Sequence, residues 1–395
     1  METPNRIVVV GASAAGVSAV EALRAAGYAG RLTLVGAERG LPYDRPPLSK
    51  HLLAGAWEPE RLLLRPAERY REIGVETRFG MRATGLDPQR RTIELETGDE
   101  IAFDGLIIAT GASAIRLPLL DGLGGAYLLR TLDDALALQT LFRTGPRLAI
   151  VGAGFLGAEA AAVARSAGLE VTLIDPAAAP LAVRLGSALG AKVAELHRGH
   201  GVDLKMGVQV RGAVRSGNRV VGLELSDGTT SPCDAVIVAV GSRPDVDWLR
   251  SSGLPLGNGV ECDCRCRAAE GIYAAGDVAS WMHRGYGARI RIEHRSNAAE
   301  QAAVAARNLL GADEDFVPVP YFWSDQYDVK LQAYGLFPPG AEVHYLHGTP
   351  GSDCFVMAYT HEGRVTGAVG WNAPRPIRDA YAMLKAQMTP ESLFR

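Results

Sequence analysis

The 395-residue chain has no C-x-x-C pair, no excess of either charge, and no apolar run near the roughly 20 residues that span a bilayer. Each absence excludes something. Five cysteines in so long a chain make no disulfide framework, and their odd count fits a reducing compartment. With 41 basic against 44 acidic residues and a net charge of -3, no whole-protein positive field argues for nucleic acid or anionic membrane. Any charged docking surface must be local. The first strand begins within about six residues of Met1, which leaves no space for a secretory leader, and the expectation is a soluble cytoplasmic protein.

What remains is globular. A composition of 47% hydrophobic and 22% charged residues suits two or three domains with large cores. The alternate spacing of Cys262, Cys264 and Cys266 predicts three thiols on one face of a strand. A fourth zinc ligand is not in sight, so they are expected to pack as small hydrophobes, with no metal site. The pairs His197/His200 and His344/His347 have no ligand cluster beside them and are expected on the surface.

The informative feature is a repeat. RIVVVGASAAGVSAVEALRAAGYAGRLTLVGAE, from Arg6, parallels RLAIVGAGFLGAEAAAVARSAGLEVTLIDP, from Arg147. Both read strand, glycine turn, helix, strand, acid. The second has the full GxGxxG at Gly152, Gly154 and Gly157, where the glycines allow a tight turn and bring a pyrophosphate onto a helix N-terminus. Asp175 closes its second strand where a ribose 2′-hydroxyl would be held. In the first copy Gly11 and Gly16 remain, Glu38 takes the ribose position, and the middle glycine is Ser13, whose hydroxyl can donate to a phosphate. Two working cradles imply two dinucleotides.

Apolar strands ending in small-residue turns follow each copy: LIIATGAS at 106–113 and VIVAVGSRPD at 236–245, then GIYAAGDVAS at 271–280, expected to stop at Gly276-Asp277 and enter a helix. Two cradles, ATG, a glycine-rich strand end and GD in this order resemble the FAD/NAD(P)-binding flavoproteins of the glutathione-reductase type. YDRPPLSK at 43–50, RIEHRSNAAEQ at 291–301 and YFWSDQYDVKLQ at 321–332 resemble their oxygenase-coupled ferredoxin reductase group, over almost the whole chain. Two departures are Ser13 and the pair His294-Arg295, where that group often has an apolar or aromatic residue.

The resemblance implies an α/β fold of two Rossmann-like domains and a small α+β C-terminal domain. FAD would be held by 1–112 together with 243–318, NADH by the inserted 113–242, and 319–395 would form the last domain, with alternating strands after Pro320 and a closing helix from about Arg378. Implied FAD contacts are the turn residues Gly11, Ser13, Ala15 and Gly16, the strand-end pair Ala37 and Glu38, and Ala83, Thr110 and Gly111. Arg45, Lys50, Arg130, Asp277, Glu293, Arg295 and Trp323 complete that set. NADH would meet Gly152, Gly154, Leu156, Gly157, Glu159, Asp175 and Gly241. Lys50, near flavin N5, would pair with Glu159 under the nicotinamide, and Trp323 would shield the flavin on the electron exit path; these three are the candidate catalytic residues.

The stretch LPYDRPPLSKHLLAG lacks the redox cysteines that disulfide-reducing relatives carry there, so a thiol relay is not expected. The implied activity is electron transfer from NADH through FAD to a 2Fe-2S ferredoxin feeding an oxygenase, in a monomer or homodimer, with no nucleic acid or membrane partner. A rubredoxin reductase, an NADH oxidase and a non-catalytic NADH-responsive flavoprotein stay open as alternatives. An acidic ferredoxin would dock on arginines, with Arg65, Arg69, Arg289, Arg291, Arg295, Arg375 and Arg378 as candidates.

Overall fold

Three sheets organise the chain. The computed structural model describes residues 4–386, so the end of the expected C-terminal domain lies outside the described residues. The first sheet has Arg6–Val10 at its centre, flanked in parallel by Arg31–Gly36 and then Val75–Phe79 on one side. On the other side lie Gly105–Ile108 and Ile272–Ala274, also parallel, with Arg267–Ala269 antiparallel at the edge. The run Ile7 to Val10 is at most 3% exposed, as a strand covered on both faces must be.

The second sheet repeats the plan. Leu148–Val151 is central, with Val171–Asp175 and Asp203–Met206 on one side and Ala235–Val238 and Ala126–Tyr127 on the other, all parallel. In such sheets ligands sit beyond the carboxyl ends of the strands, where the connections diverge to opposite sides. Both glycine turns occupy that position.

The third sheet is antiparallel, in the order Tyr321–Gln326, Val329–Gly335, Arg364–Trp371, Phe355–His361, Glu342–His347. Its alternating side chains face two helices. Val356 and Ala368 pack with Ile377, Ala380 and Leu384 of the helix Ile377–Ala386. Leu331, Phe355, Met357 and Val369 pack with Leu185, Leu189 and Val193 of the helix Ala182–Gly199, which belongs to the second sheet's unit. That contact fixes the C-terminal sheet against the second cradle.

Three sequence expectations are corrected here. Gly276-Asp277 leads into a turn and then the strand Ala279–His283, not a helix. Pairing with Gly259–Cys262 and Ala288–Arg291 takes up its backbone, and Trp281 is fully buried within it. The three spaced cysteines do not share a strand face. The strand ends at Cys262, because the Asp263 carboxylate accepts from the backbone N–H of Arg265 and Arg267 at 2.9 and 3.0 Å and folds a turn with Cys266 at φ 66. Burial pushes the Cys262 thiol up to about 12 and raises Cys266 as well, which leaves both unreactive. Among the described residues no group of three or more His, Cys, Asp or Glu is arranged to hold a metal ion, and no helix is long and apolar enough to cross a membrane. Of the four histidines expected on the surface, His200, His344 and His347 are exposed, but His197 is fully buried.

Candidate functional site

The two glycine turns have one geometry. Gly11 and Gly152 sit at φ 112 and 105, and a Cβ there would lie 2.0 Å from the Ala109 carbonyl oxygen or 2.3 Å from that of Ala239. A Cβ on Gly16 or Gly157 would lie 1.8 Å from the carbonyl oxygen of Gly11 or Gly152, so these glycines let helix and strand touch. The middle position is different. Gly154 has extended backbone, φ -73 and ψ -172, and no protein atom within 4 Å of a Cβ. Its counterpart Ser13 is extended too, at φ -125 and ψ -156, and its hydroxyl does not cap its own helix. The space beside that position is therefore not needed by the fold. It suits a phosphate approaching the unpaired N–H groups at the starts of Ala14–Ala25 and Phe155–Ser166.

Both strand-end acids are held in place. Asp175 accepts from the backbone N–H of Ala153 at 2.6 Å and of Ala177 at 2.7 Å, which ties it to the second turn. Glu38 accepts from the Tyr43 hydroxyl at 2.6 Å and pairs with Arg45 at 2.6 Å. Tyr43 also accepts from the Leu132 N–H at 2.9 Å, and burial raises its pKa to about 12, so it remains a neutral donor. It was not foreseen, although it opens the YDRPPLSK stretch.

Around the first turn, the other expected FAD residues come together. Exposed Ala37 precedes Glu38, and Gly80 and Met81 bond back to Glu38 and Gly36 just before Ala83. Ala15 lies 3.0 Å from where a Cβ on Gly276 would stand. Thr110 donates to the Asp245 carbonyl at 2.9 Å, and Gly111 takes φ 75 beside Arg130. Arg130 reaches Asp277 at 3.1 Å and the Ala112 carbonyl at 2.9 Å. It is aimed by the next helix, Leu132–Phe142, where Asp134 accepts from the N–H of Arg130 and Thr131 in a reciprocal cap. Burial raises the Asp277 pKa, and Arg130 offsets this only in part. Arg295 pairs with Asp44, and Arg291 pairs with Glu293 at 2.6 Å. Beside them His294 leaves its Nδ1 buried without a partner, its ring centre lies 4.9 Å from that of Phe322, and burial lowers its pKa to about 4. An orphaned buried nitrogen facing this region fits a polar ligand edge.

The centre of the site joins three parts of the chain. Lys50 follows the 3-10 turn Pro46–Ser49, and its Nζ lies 3.0 Å from Glu159 Oε1. Glu159 also accepts from Ser49 at 2.6 Å and from Ser324 of the C-terminal sheet at 2.7 Å. Half-buried Trp323 places its ring 5.6 Å from Lys50 Nζ. Leu156 lies beside Phe155, whose ring meets Phe322 at 4.5 Å, and Gly241, at φ 109, lies in the turn after the strand Ala235–Val238 and accepts from the Ile115 N–H at 3.0 Å. None of the five free cysteines belongs to this group. Ser49 and Ser324 were not singled out from sequence, because serine in a loop or strand carries no pattern of its own.

The docking arginines need revision. Arg65 pairs with Glu21, Arg69 with Glu72 and Arg291 with Glu293, and Arg289 donates to the carbonyls of Cys262 and Ser280. Arg291 is only 11% exposed, so it is structural. Among the described residues neither Arg375 nor Arg378 stands in an ion pair, and Arg378 donates to the Pro374 carbonyl.

Residues 5–302 match the pyridine nucleotide-disulphide oxidoreductase family, and residues 321–393 match the reductase C-terminal family. The chain is 35% identical to rhodocoxin reductase of Rhodococcus erythropolis over 98% of its own length and 91% of that protein. The chain belongs to the oxygenase-coupled ferredoxin reductases of the pyridine nucleotide-disulphide oxidoreductase family. This family member is also 37% identical to the anthranilate 1,2-dioxygenase system ferredoxin--NAD(+) reductase component of Burkholderia cepacia, over 97% of this chain and 95% of that one. Among solved structures it resembles the reductase of the covalent putidaredoxin reductase-putidaredoxin complex, with a TM-score of 0.92, 32% identity, and coverage of 98% and 93% of the two chains.

Proposed function

We propose that the protein is an NADH-dependent FAD flavoprotein that passes electrons to a 2Fe-2S ferredoxin serving an oxygenase, in the cytoplasm. The observation that carries this reading is the buried Lys50–Glu159 pair, set where the two dinucleotide turns and the C-terminal sheet converge, with no thiol beside it. Relatives named for anthranilate and benzene dioxygenase systems, and a neighbour solved with putidaredoxin, support the partner class.

When bound, FAD supplies the conversion of a two-electron donor into single-electron delivery. The chain supplies the rest. In this reading the Gly11–Gly16 turn and Arg45 and Arg130 hold FAD, and the Gly152–Gly157 turn and Asp175 hold NADH. Glu159 and Lys50, each under a tenth exposed, present a fixed charge pair to the reacting rings and keep water away. Trp323, whose ring lies 5.6 Å from Lys50 Nζ, would shield the flavin on the electron exit path.

A coupled assay tests it: NADH, the holoprotein, a 2Fe-2S ferredoxin and cytochrome c as final acceptor. Cytochrome reduction should require both NADH and ferredoxin. Equal rates with rubredoxin, or electron flow to dioxygen alone, would replace this reading with one of the alternatives.

A further inference from the structure

Behind Glu159 a line of polar groups runs through the C-terminal strand to the helix Ala182–Gly199. Ser324 Oγ lies 2.7 Å from Glu159 Oε1, Gln326 Nε2 lies 3.2 Å from Ser324 Oγ, and His197 Nε2 lies 2.9 Å from Gln326 Oε1. Ser324, Gln326 and His197 are at most 3% exposed. Tyr327 brings its hydroxyl to 3.4 Å from His197 Nδ1 and stacks at 3.6 Å on exposed His200. Burying three polar side chains where apolar ones could pack is costly unless every bond is made. A fully satisfied network holds one geometry.

The ionised end of the line fixes the direction of every bond. A carboxylate accepts and cannot donate, so Ser324 gives its only proton to Glu159 and must accept from Gln326. Gln326 therefore turns its NH2 toward Ser324 and its carbonyl toward His197, which must donate from Nε2. Nδ1 is left as an acceptor for the Tyr327 hydroxyl. Burial lowers the His197 pKa, the Gln326 bond opposes this in part, and nearby His200 adds a smaller lowering, which agrees with a neutral ring.

We infer that His197 is a positioning residue for the NADH step: through Gln326 and Ser324 it fixes the Glu159 carboxylate, and with it Lys50, from the helix behind the second cradle. This rests on the proposed function only for the role of Glu159. If the imidazole is removed, the Gln326 amide loses the donor that orients it and can offer its carbonyl to Ser324. Gln326 and Ser324 are then no longer held from behind, and the competing amide carbonyl weakens the hold of Ser324 on Glu159, which leaves Ser49 and Lys50 as the firm partners of the carboxylate.

Two measurements on the holoprotein decide it. Histidine-selective 15N NMR, with the His197 signal assigned by its loss on substitution, should show a neutral ring protonated at Nε2; a ring protonated at Nδ1, or at both nitrogens near neutral pH, overturns the chain. In stopped flow, His197→Phe should slow flavin reduction by NADH about tenfold, with NAD⁺ affinity within about twofold of wild type, as expected for loss of a supporting hydrogen bond. His197→Gln keeps an N–H near the Nε2 position and should recover to within about threefold of wild type. Equal rates in the two variants, whether both normal or both slow, overturn the inference. If His197→Phe does not fold, Gln326→Met, which removes both amide groups at nearly constant volume, should show the same loss. A wild-type flavin that NADH does not reduce would instead refute the proposed function, leaving the NMR tautomer as the test of the hydrogen-bond chain.

Discussion

Lys50 and Glu159 meet at 3.0 Å with side chains 9% and 7% exposed, although one comes from the first cradle's unit and the other from the helix of the second. Taking one partner from a buried ion pair leaves an unpaired charge and costs about 3–5 kcal/mol. Glu159→Leu leaves the ammonium only the partly exposed Asp325 carboxylate, 4.0 Å away, and should therefore lower the melting temperature clearly. Lys50→Met should cost less, because Ser49 and Ser324 still donate to the carboxylate. The double variant should recover part of the stability but none of the NADH-driven flavin reduction. Strictly additive stability losses in the double-variant cycle would show that the pair is not coupled.

The two kinds of glycine in the turns separate in a second test. Gly16→Ala drives a methyl to 1.8 Å from the Gly11 carbonyl oxygen and should yield no FAD-loaded protein. Ser13→Gly should leave fold and FAD content intact, since that position has extended backbone any residue adopts. Flavin-to-protein absorbance ratios after purification read both outcomes.

Nucleotide preference follows from Asp175. Two backbone N–H groups hold its carboxylate, so it cannot swing away from a 2′-phosphate. NADH should be preferred over NADPH, and Asp175→Asn, which keeps the shape and removes the charge, should narrow the ratio of kcat/KM values by about tenfold or more. An unchanged ratio would remove Asp175 from the ribose site.

For ferredoxin docking, free charges matter and paired ones do not. Arg375→Glu and Arg378→Glu should slow ferredoxin reduction and weaken its salt dependence while ferricyanide reduction stays near wild type. Arg69→Glu, at a residue already paired with Glu72, should do much less. Unchanged ferredoxin reduction in the Arg375 and Arg378 variants would mean that docking does not use that side of the molecule.

Acid should weaken the fold before the carboxylates protonate. Burial lowers the pKa of His197, His283 and His294, the last to about 4. Folding thus favours their neutral rings, while the unfolded rings take up protons near pH 6.5. The stability they give is complete above about pH 6.5 and is lost as pH falls toward about 4. Urea midpoints between about pH 7.5 and 5 should fall, and His294→Asn should flatten the slope. A flat profile in the wild type would contradict the neutral buried rings.

The cradles were legible because their chemistry is local: a glycine forced by a carbonyl 2 Å away, and an acid at a strand end, leave marks within about thirty residues of sequence. The resemblance carried Lys50, Glu159 and Trp323 to one place. What could not be read was set by long-range contacts. His197 looked like a surface residue because its partner Gln326 lies in another sheet. Arg65 and Arg295 look free in the sequence because the carboxylates that neutralise them, Glu21 and Asp44, are distant in sequence. The stretch after Gly276-Asp277 reads as a helix in the sequence because its pairing partners, Gly259–Cys262 and Ala288–Arg291, become visible only in the sheet.

The most direct test of electron delivery from NADH to ferredoxin is an anaerobic single turnover. The holoprotein is mixed with one equivalent of NADH, flavin absorbance is followed, and an oxidised 2Fe-2S ferredoxin is then added in excess. The flavin should bleach with NADH, recover on mixing with ferredoxin, and leave two reduced ferredoxins for each NADH consumed. A flavin that NADH does not bleach, or one that stays reduced in the presence of oxidised ferredoxin, would contradict it.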